Sequence, residues 1–104
     1  MSAGEPETSP SGGAPGAPPL PEPTLIVHVF HLASQVGMAL GETENPLTGK
    51  RDTDLRAARF LIDTLAMLEE KTRGNRTAEE DEYVAGVLTN LRMAYVRKSE
   101  TAKP

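Results

Sequence analysis

The sequence has no cysteine and no tryptophan among its 104 residues, and tyrosine and phenylalanine occur only twice each. Without cysteine the chain forms neither disulfides nor thiolate metal sites, and its composition fits a reducing compartment. It also lacks an excess of positive charge, because the formal net charge is −4. Proteins that bind nucleic acid usually carry a strong basic excess or a basic face, so this charge does not favour nucleic acid as a partner.

The sequence also shows no targeting segment and no long apolar run. Its N-terminus has neither the basic region nor the apolar region of a secretory signal. The longest apolar stretch, residues 25–40, is interrupted by two histidines, a serine and a glutamine, whereas a membrane span needs about 20 predominantly apolar residues. We therefore expect a cytoplasmic protein with no membrane span, and a chain of this length has room for one domain.

Residues 1–23 differ in composition from the rest of the chain. They include seven prolines and four glycines, and Leu20 is their only large apolar residue after Met1. Such a segment buries too little surface to offset the entropy lost on ordering. The composition therefore predicts a disordered Pro/Gly-rich N-terminal arm.

At Thr24 the composition changes, and apolar residues begin to recur with helical spacing. Residues 25–40 form an apolar first helix, which Gly41 is suited to end. Residues 42–53 are rich in turn-forming residues and predict a connection. A central helix then begins at Asp54, a capping residue.

The central helix has the clearest signals, with a long apolar stripe over residues 54–73 and a helix-ending Gly74. Thr77 and Glu80 have capping-box spacing and open a third helix, about residues 78–97. The sequence thus predicts an all-α fold, in which two long amphipathic helices form a hairpin and the apolar N-terminal helix packs against it. This small three-helix domain covers residues 24–98, and residues 99–104 are expected to fray.

Several apolar or small residues lie where self-association could use them. A core built from roughly 75 residues is marginal, which favours a self-associating chain or one with a stable protein partner. Phe60 and Met67 lie opposite the core face of the central helix. The small residues Ala33, Gly37 and Gly41, at four-residue spacing, would allow another backbone to approach closely. The alternative is a compact monomer with a few exposed apolar side chains. The candidate interface residues are Phe30, Ala33, Gly37, Gly41, Phe60 and Met67.

The basic turn between the central and third helices is the most site-like feature. Lys71, Arg73 and Arg76 cluster where one helix ends and the next begins. A helix N-terminus together with arginines can hold a phosphate or a carboxylate. The alternative interpretation is that these cations complement the helix dipole in a tight turn.

The remaining polar clusters have simpler explanations than catalysis. His28 and His31 share a helical face, but no further histidine or cysteine exists, so Asp or Glu from elsewhere would have to complete a zinc site. We therefore interpret them as surface or interface histidines and predict no metal site and no cofactor. The acidic run at residues 79–82 lies at a helix start, where negative charge is favoured.

Four parts of the sequence carry a family resemblance: the run over residues 58–77, residues 91–96, the turn at residues 46–49 and the Leu/Ala-rich first helix. Over residues 25–98 the chain resembles the bacterial domain-of-unknown-function family 1844, although His28, His31 and Arg76 depart from its usual pattern. The resemblance implies a short, mostly helical, cytoplasmic bacterial protein. It implies no activity and supplies no functional residues.

We therefore interpret the chain as a non-enzymatic helical protein-interaction module that self-associates, as a homodimer, or binds another protein. The alternative function is that of a small regulator that binds RNA, the ribosome or an anionic ligand through the basic turn at residues 71–76.

Overall fold

The computed structural model describes residues 18–102 and contains three α-helices. They are α1 (Leu25–Ala39), α2 (Leu55–Lys71) and α3 (Ala78–Thr101), and each contacts the other two. The described residues contain no strand, so the predicted all-α three-helix fold is confirmed. Most of the predicted arm, residues 1–17, lies outside the described residues, as do residues 103–104.

Each helix begins at a residue whose side-chain oxygen accepts a hydrogen bond from an amide of the first turn. Asp54 accepts from the amide of Ala57 at 3.1 Å, and Thr77 accepts from that of Glu80 at 3.1 Å. The Glu80 carboxylate in turn accepts from the Thr77 amide at 2.9 Å, which completes the predicted capping box. Thr24 caps α1 in the same manner as Asp54 caps α2. Because a capped end satisfies orphan amides, these local bonds fix where the helices start.

The C-terminal end of α3 differs from the prediction. The helix continues to Thr101, whereas fraying was expected from Ser99 onward. No glycine or proline lies between Arg97 and Thr101, and both Lys98 and Ser99 are half-buried. The helix therefore continues past Arg97, because no residue in this stretch breaks it and its first two residues are still partly covered.

The core is aliphatic and draws on all three helices. No polar side chain and no aromatic ring is buried among the described residues, and the two tyrosines only pack against the edge of the core. Most of the buried residues are spaced three or four apart on their helices, as the periodicity predicted. The buried side chains are Val29, Leu32, Val36, Leu40, Ala58, Ile62, Leu65, Val84, Leu88 and Ala94.

The connection between α1 and α2 is closed at its base. The Asp54 amide donates to the Ala39 carbonyl oxygen at 2.7 Å, and Leu40 pairs with Thr53 in an antiparallel bridge. Gly41 lies beside this bridge with a φ of 76°, a left-handed conformation that glycine adopts without strain. A Cβ at Gly41 would lie 2.6 Å from the Thr53 hydroxyl oxygen.

Gly41→Ala is therefore expected to lower the free energy of unfolding by about 2–4 kcal/mol, through left-handed strain plus overpacking. Gly49→Ala is the matched control, because Gly49 has a φ of 71° and no atom within 4 Å of an added Cβ. It should cost only about 1–2 kcal/mol. Urea unfolding followed by circular dichroism measures both variants. Gly41→Ala should lower the free energy of unfolding by less in the Thr53→Ala background than in the native chain, because the hydroxyl that the added Cβ meets is then absent. Equal losses for Gly41→Ala and Gly49→Ala would show that the contact with Thr53 is unimportant.

Candidate contact surfaces and the basic turn

The outward face of α2 carries an exposed apolar pair. Phe60 is 71% exposed and Met67 is 46% exposed. They are seven residues apart, so they lie nearly in line on the helix side that faces away from the core. Arg56 and Lys71 are exposed near the two ends of this pair. We call Phe60 and Met67 the α2 pair.

The candidate residues of α1 differ in burial, and one of them lies beyond the helix. Phe30 is 55% exposed, while Ala33 and Gly37 are half-buried. No atom outside the local helix backbone lies within 4 Å of an added Cβ at Gly37, so that position leaves space for a neighbour. Gly41 lies beyond the helix and is approached by Thr53 of its own chain. The close contact at Gly41 is therefore made within the chain, by Thr53, and does not require a second copy.

A third outward apolar surface lies on α3 and was not among the candidate sites. Met93 and Val96 are 51% and 54% exposed, between the exposed Arg92 and Arg97. Their signal in the sequence is the same as that of the α2 pair, because both residues lie away from the apolar face of their helix.

Arg76 holds the turn between α2 and α3 together. Its side chain is only 8% exposed. Nη1 donates to the Glu69 carbonyl oxygen at 2.7 Å and contacts the Thr72 hydroxyl at 3.3 Å. Nε donates to the Asp81 carboxylate at 2.6 Å. Arg76 thus satisfies a carbonyl near the end of α2 and pairs with an acid in the first turn of α3.

Of the other two cations of the turn, Arg73 is paired with an acid and Lys71 is exposed. Arg73 donates to the Glu70 carboxylate at 2.7 Å, in an ion pair open to solvent. Lys71 is exposed beside the α2 pair. The first turn of α3 carries three acids, Glu79, Glu80 and Asp81, which oppose an incoming anion. Within the basic turn, Arg76 is thus the cation that holds the helix junction.

The Arg73–Glu70 pair gives a prediction for titration. The hydrogen bond and the charge of Arg73 lower the pKa of the Glu70 carboxyl below its ordinary value. A pKa that is lowered by folding stabilises the fold at higher pH, and this contribution is lost as the pH falls through the folded-state pKa. In an NMR titration, Glu70 should titrate at lower pH in the native chain than in Arg73→Gln. Identical midpoints would show that the pair does not form in solution.

The two histidines are both exposed on α1, and the rings of Phe30 and His31 lie 6.0 Å apart. Within residues 18–102, no group of three or more potential metal-ligating side chains comes together.

A groove of about 320 Å³ lies between α1, α2 and their connection, with Met38, Ala57 and Leu61 in its lining. No helix in the described part of the chain is both long and apolar enough to cross a membrane.

Comparison with known proteins gives one match. A family model described as a domain of unknown function (DUF1844) matches residues 22–97. This range includes all of α1 and α2 and most of α3. No similar curated protein and no similar solved structure was found for the chain.

Proposed function

The chain belongs to the DUF1844 family, a domain of unknown function, and we propose that it acts as a non-enzymatic helical protein-interaction module that associates with itself. The family description assigns no activity. The proposal therefore depends on the surfaces of the three helices and on the side chains that the fold leaves outside its core.

One observation carries the proposal: large apolar side chains lie exposed on all three helices, outside an entirely aliphatic core, among them Phe30, Phe60 and Met93. Phe30 and Phe60 are more than half exposed, while the buried side chains are only Val, Leu, Ile and Ala. Full burial of a phenylalanine side chain contributes about 1.5–3 kcal/mol to stability. A small domain buries little surface by itself, so a contribution of this size is large for it. Contact with a second copy would bury apolar surface that the monomer leaves in water.

The alternative function, binding of RNA, the ribosome or an anionic ligand through residues 71–76, receives less support from the geometry. The Arg76 guanidinium is enclosed by the chain itself, and Arg73 is paired with Glu70. Recognition of a phosphate by either arginine would first have to break these contacts. We further propose that the protein is cytoplasmic, since its composition fits a reducing compartment.

Thermal unfolding at two protein concentrations about 100-fold apart tests the proposed function, because association stabilises the folded state by mass action. The Tm should rise with protein concentration. The rise should persist in high salt, which screens exposed charges but not apolar contacts. A Tm that is independent of concentration would overturn self-association. A shift of the Tm on addition of RNA, if it is sensitive to salt and lost in Arg73→Glu, would favour the alternative function instead.

A further inference from the structure

The outward side of α3 carries a continuous row of exposed residues along most of the helix. Its members are spaced three or four residues apart, apart from the adjacent positions 85 and 86, so they lie along one line on the helix. All of them are exposed, and none belongs to the core. We call this row the α3 seam. It consists of Glu82, Ala85, Gly86, Thr89, Met93 and Val96.

The two halves of the α3 seam differ in size. The N-terminal half has Ala85 and Gly86, and the space around an added Cβ at Gly86 is open. The C-terminal half has the large residues Met93 and Val96, both about half exposed. If two copies pack antiparallel about Thr89, Met93 of one copy faces Ala85 of the other. The Met93 side chain then fills space that the small Ala85 leaves, while Val96 lies opposite Glu82.

The charges along α3 favour the same arrangement. Acids lie near its start, where Glu79 and Glu82 are exposed, and Arg97 is exposed near its end. Among the described residues, none of these three forms an ion pair within its own chain. An antiparallel pair brings Arg97 of each copy to Glu82 of the other, whereas a parallel pair would bring like charges together.

The α2 pair does not have this property. Arg56 and Lys71 flank Phe60 and Met67, so two antiparallel copies of α2 would place these cations opposite each other. A parallel arrangement would oppose Arg56 to Arg56. Unlike the α2 pair, the α3 seam is complementary to itself in charge and sets the large Met93 against the small Ala85.

We propose that two copies of this chain associate through antiparallel packing of their α3 seams, with a two-fold axis near Thr89. This inference rests on the proposed function, since it names the surface through which self-association takes place. It leaves Phe60 and Met67 outside the interface between the two copies. A two-fold interface of this kind uses the same surface on both subunits, as is usual for homodimers.

Two matched variants test the proposal by sedimentation equilibrium of the full chain. Met93→Glu places a charge in the α3 seam, and Phe60→Glu places the same charge on α2, at side chains that are both exposed. Met93→Glu should raise the dimer dissociation constant about tenfold or more, while Phe60→Glu should leave it unchanged. Circular dichroism confirms that both variants keep their helices. If Phe60→Glu dissociates the dimer and Met93→Glu does not, self-association stands and the α3 seam is overturned. A native chain that stays monomeric overturns both.

A charge exchange tests the antiparallel register independently. In the proposed register, residue 97 of each copy meets residue 82 of the other, so a homodimer has two such contacts. In a homodimer of Arg97→Glu or of Glu82→Arg, both contacts would join like charges. Mixing the two variants restores both pairs, since each chain then meets the opposite charge on the other. The mixture should form heterodimers with the affinity of the native chain, and each variant alone should dimerise more weakly. Equal affinity for the variants and for their mixture would overturn the proposed register.

Discussion

Leu65→Ala is expected to lower the free energy of unfolding by about 2–5 kcal/mol, the range for deleting a buried leucine side chain. Leu65 is fully buried at the centre of α2, which packs against both α1 and α3. A loss of this size is a large part of the stability of a small domain. Urea unfolding at a fixed protein concentration measures it, since association would otherwise change the apparent stability.

The control for this substitution is Leu47→Ala, which deletes the same atoms at a side chain that is 92% exposed. Leu47 lies in the connection between α1 and α2 and takes no part in the core. Its replacement should leave the unfolding midpoint unchanged. A similar loss for both variants would mean that the connection packs against the domain in solution.

Arg76→Met is expected to lower the free energy of unfolding by about 2 kcal/mol, because it removes hydrogen bonds from a charged, nearly buried donor. Methionine keeps most of the aliphatic stem of the side chain, so the loss reports the guanidinium contacts with Glu69 and Asp81. Lysine should rescue little of the loss, since a single ammonium group cannot reproduce the fork that reaches both partners.

Arg73→Met is the matched control, three residues away in the same turn. Its ion pair with Glu70 is exposed at both ends, and exposed pairs of this kind contribute little. Its urea unfolding midpoint should therefore stay at the native value. If Arg73→Met destabilises the chain as much as Arg76→Met does, the assignment of Arg76 as the residue that joins α2 and α3 is wrong.

The sequence predicted those parts of the fold that depend on neighbouring residues. Asp54 and Thr77 begin helices because a short polar side chain can reach an amide three residues ahead, which is a local property. The aliphatic periodicity placed Ile62 and Leu65 in the core for the same reason, since one helix face is defined by its own spacing. The end of α3 was misplaced because no local residue ends that helix.

The features that the sequence did not predict depend on residues brought together by the fold. An arginine in a polar turn has no spacing that indicates burial, and the role of Arg76 depends on where Glu69 and Asp81 meet. Gly41 follows the end of α1 in a left-handed conformation, as predicted, but the sequence does not show that the connection returns to it through Thr53. For the contact surfaces, periodicity placed Phe60 opposite the core correctly, but it does not identify what covers an outward face.

The central claim is that this chain of the DUF1844 family self-associates, and the mass of the native chain in solution tests it most directly. Sedimentation equilibrium of the full chain, from low to high micromolar concentration, gives that mass without any substitution. The average mass should rise with concentration from the chain mass of 11.1 kDa toward twice that value. A mass that stays at 11.1 kDa over the whole range would contradict the account.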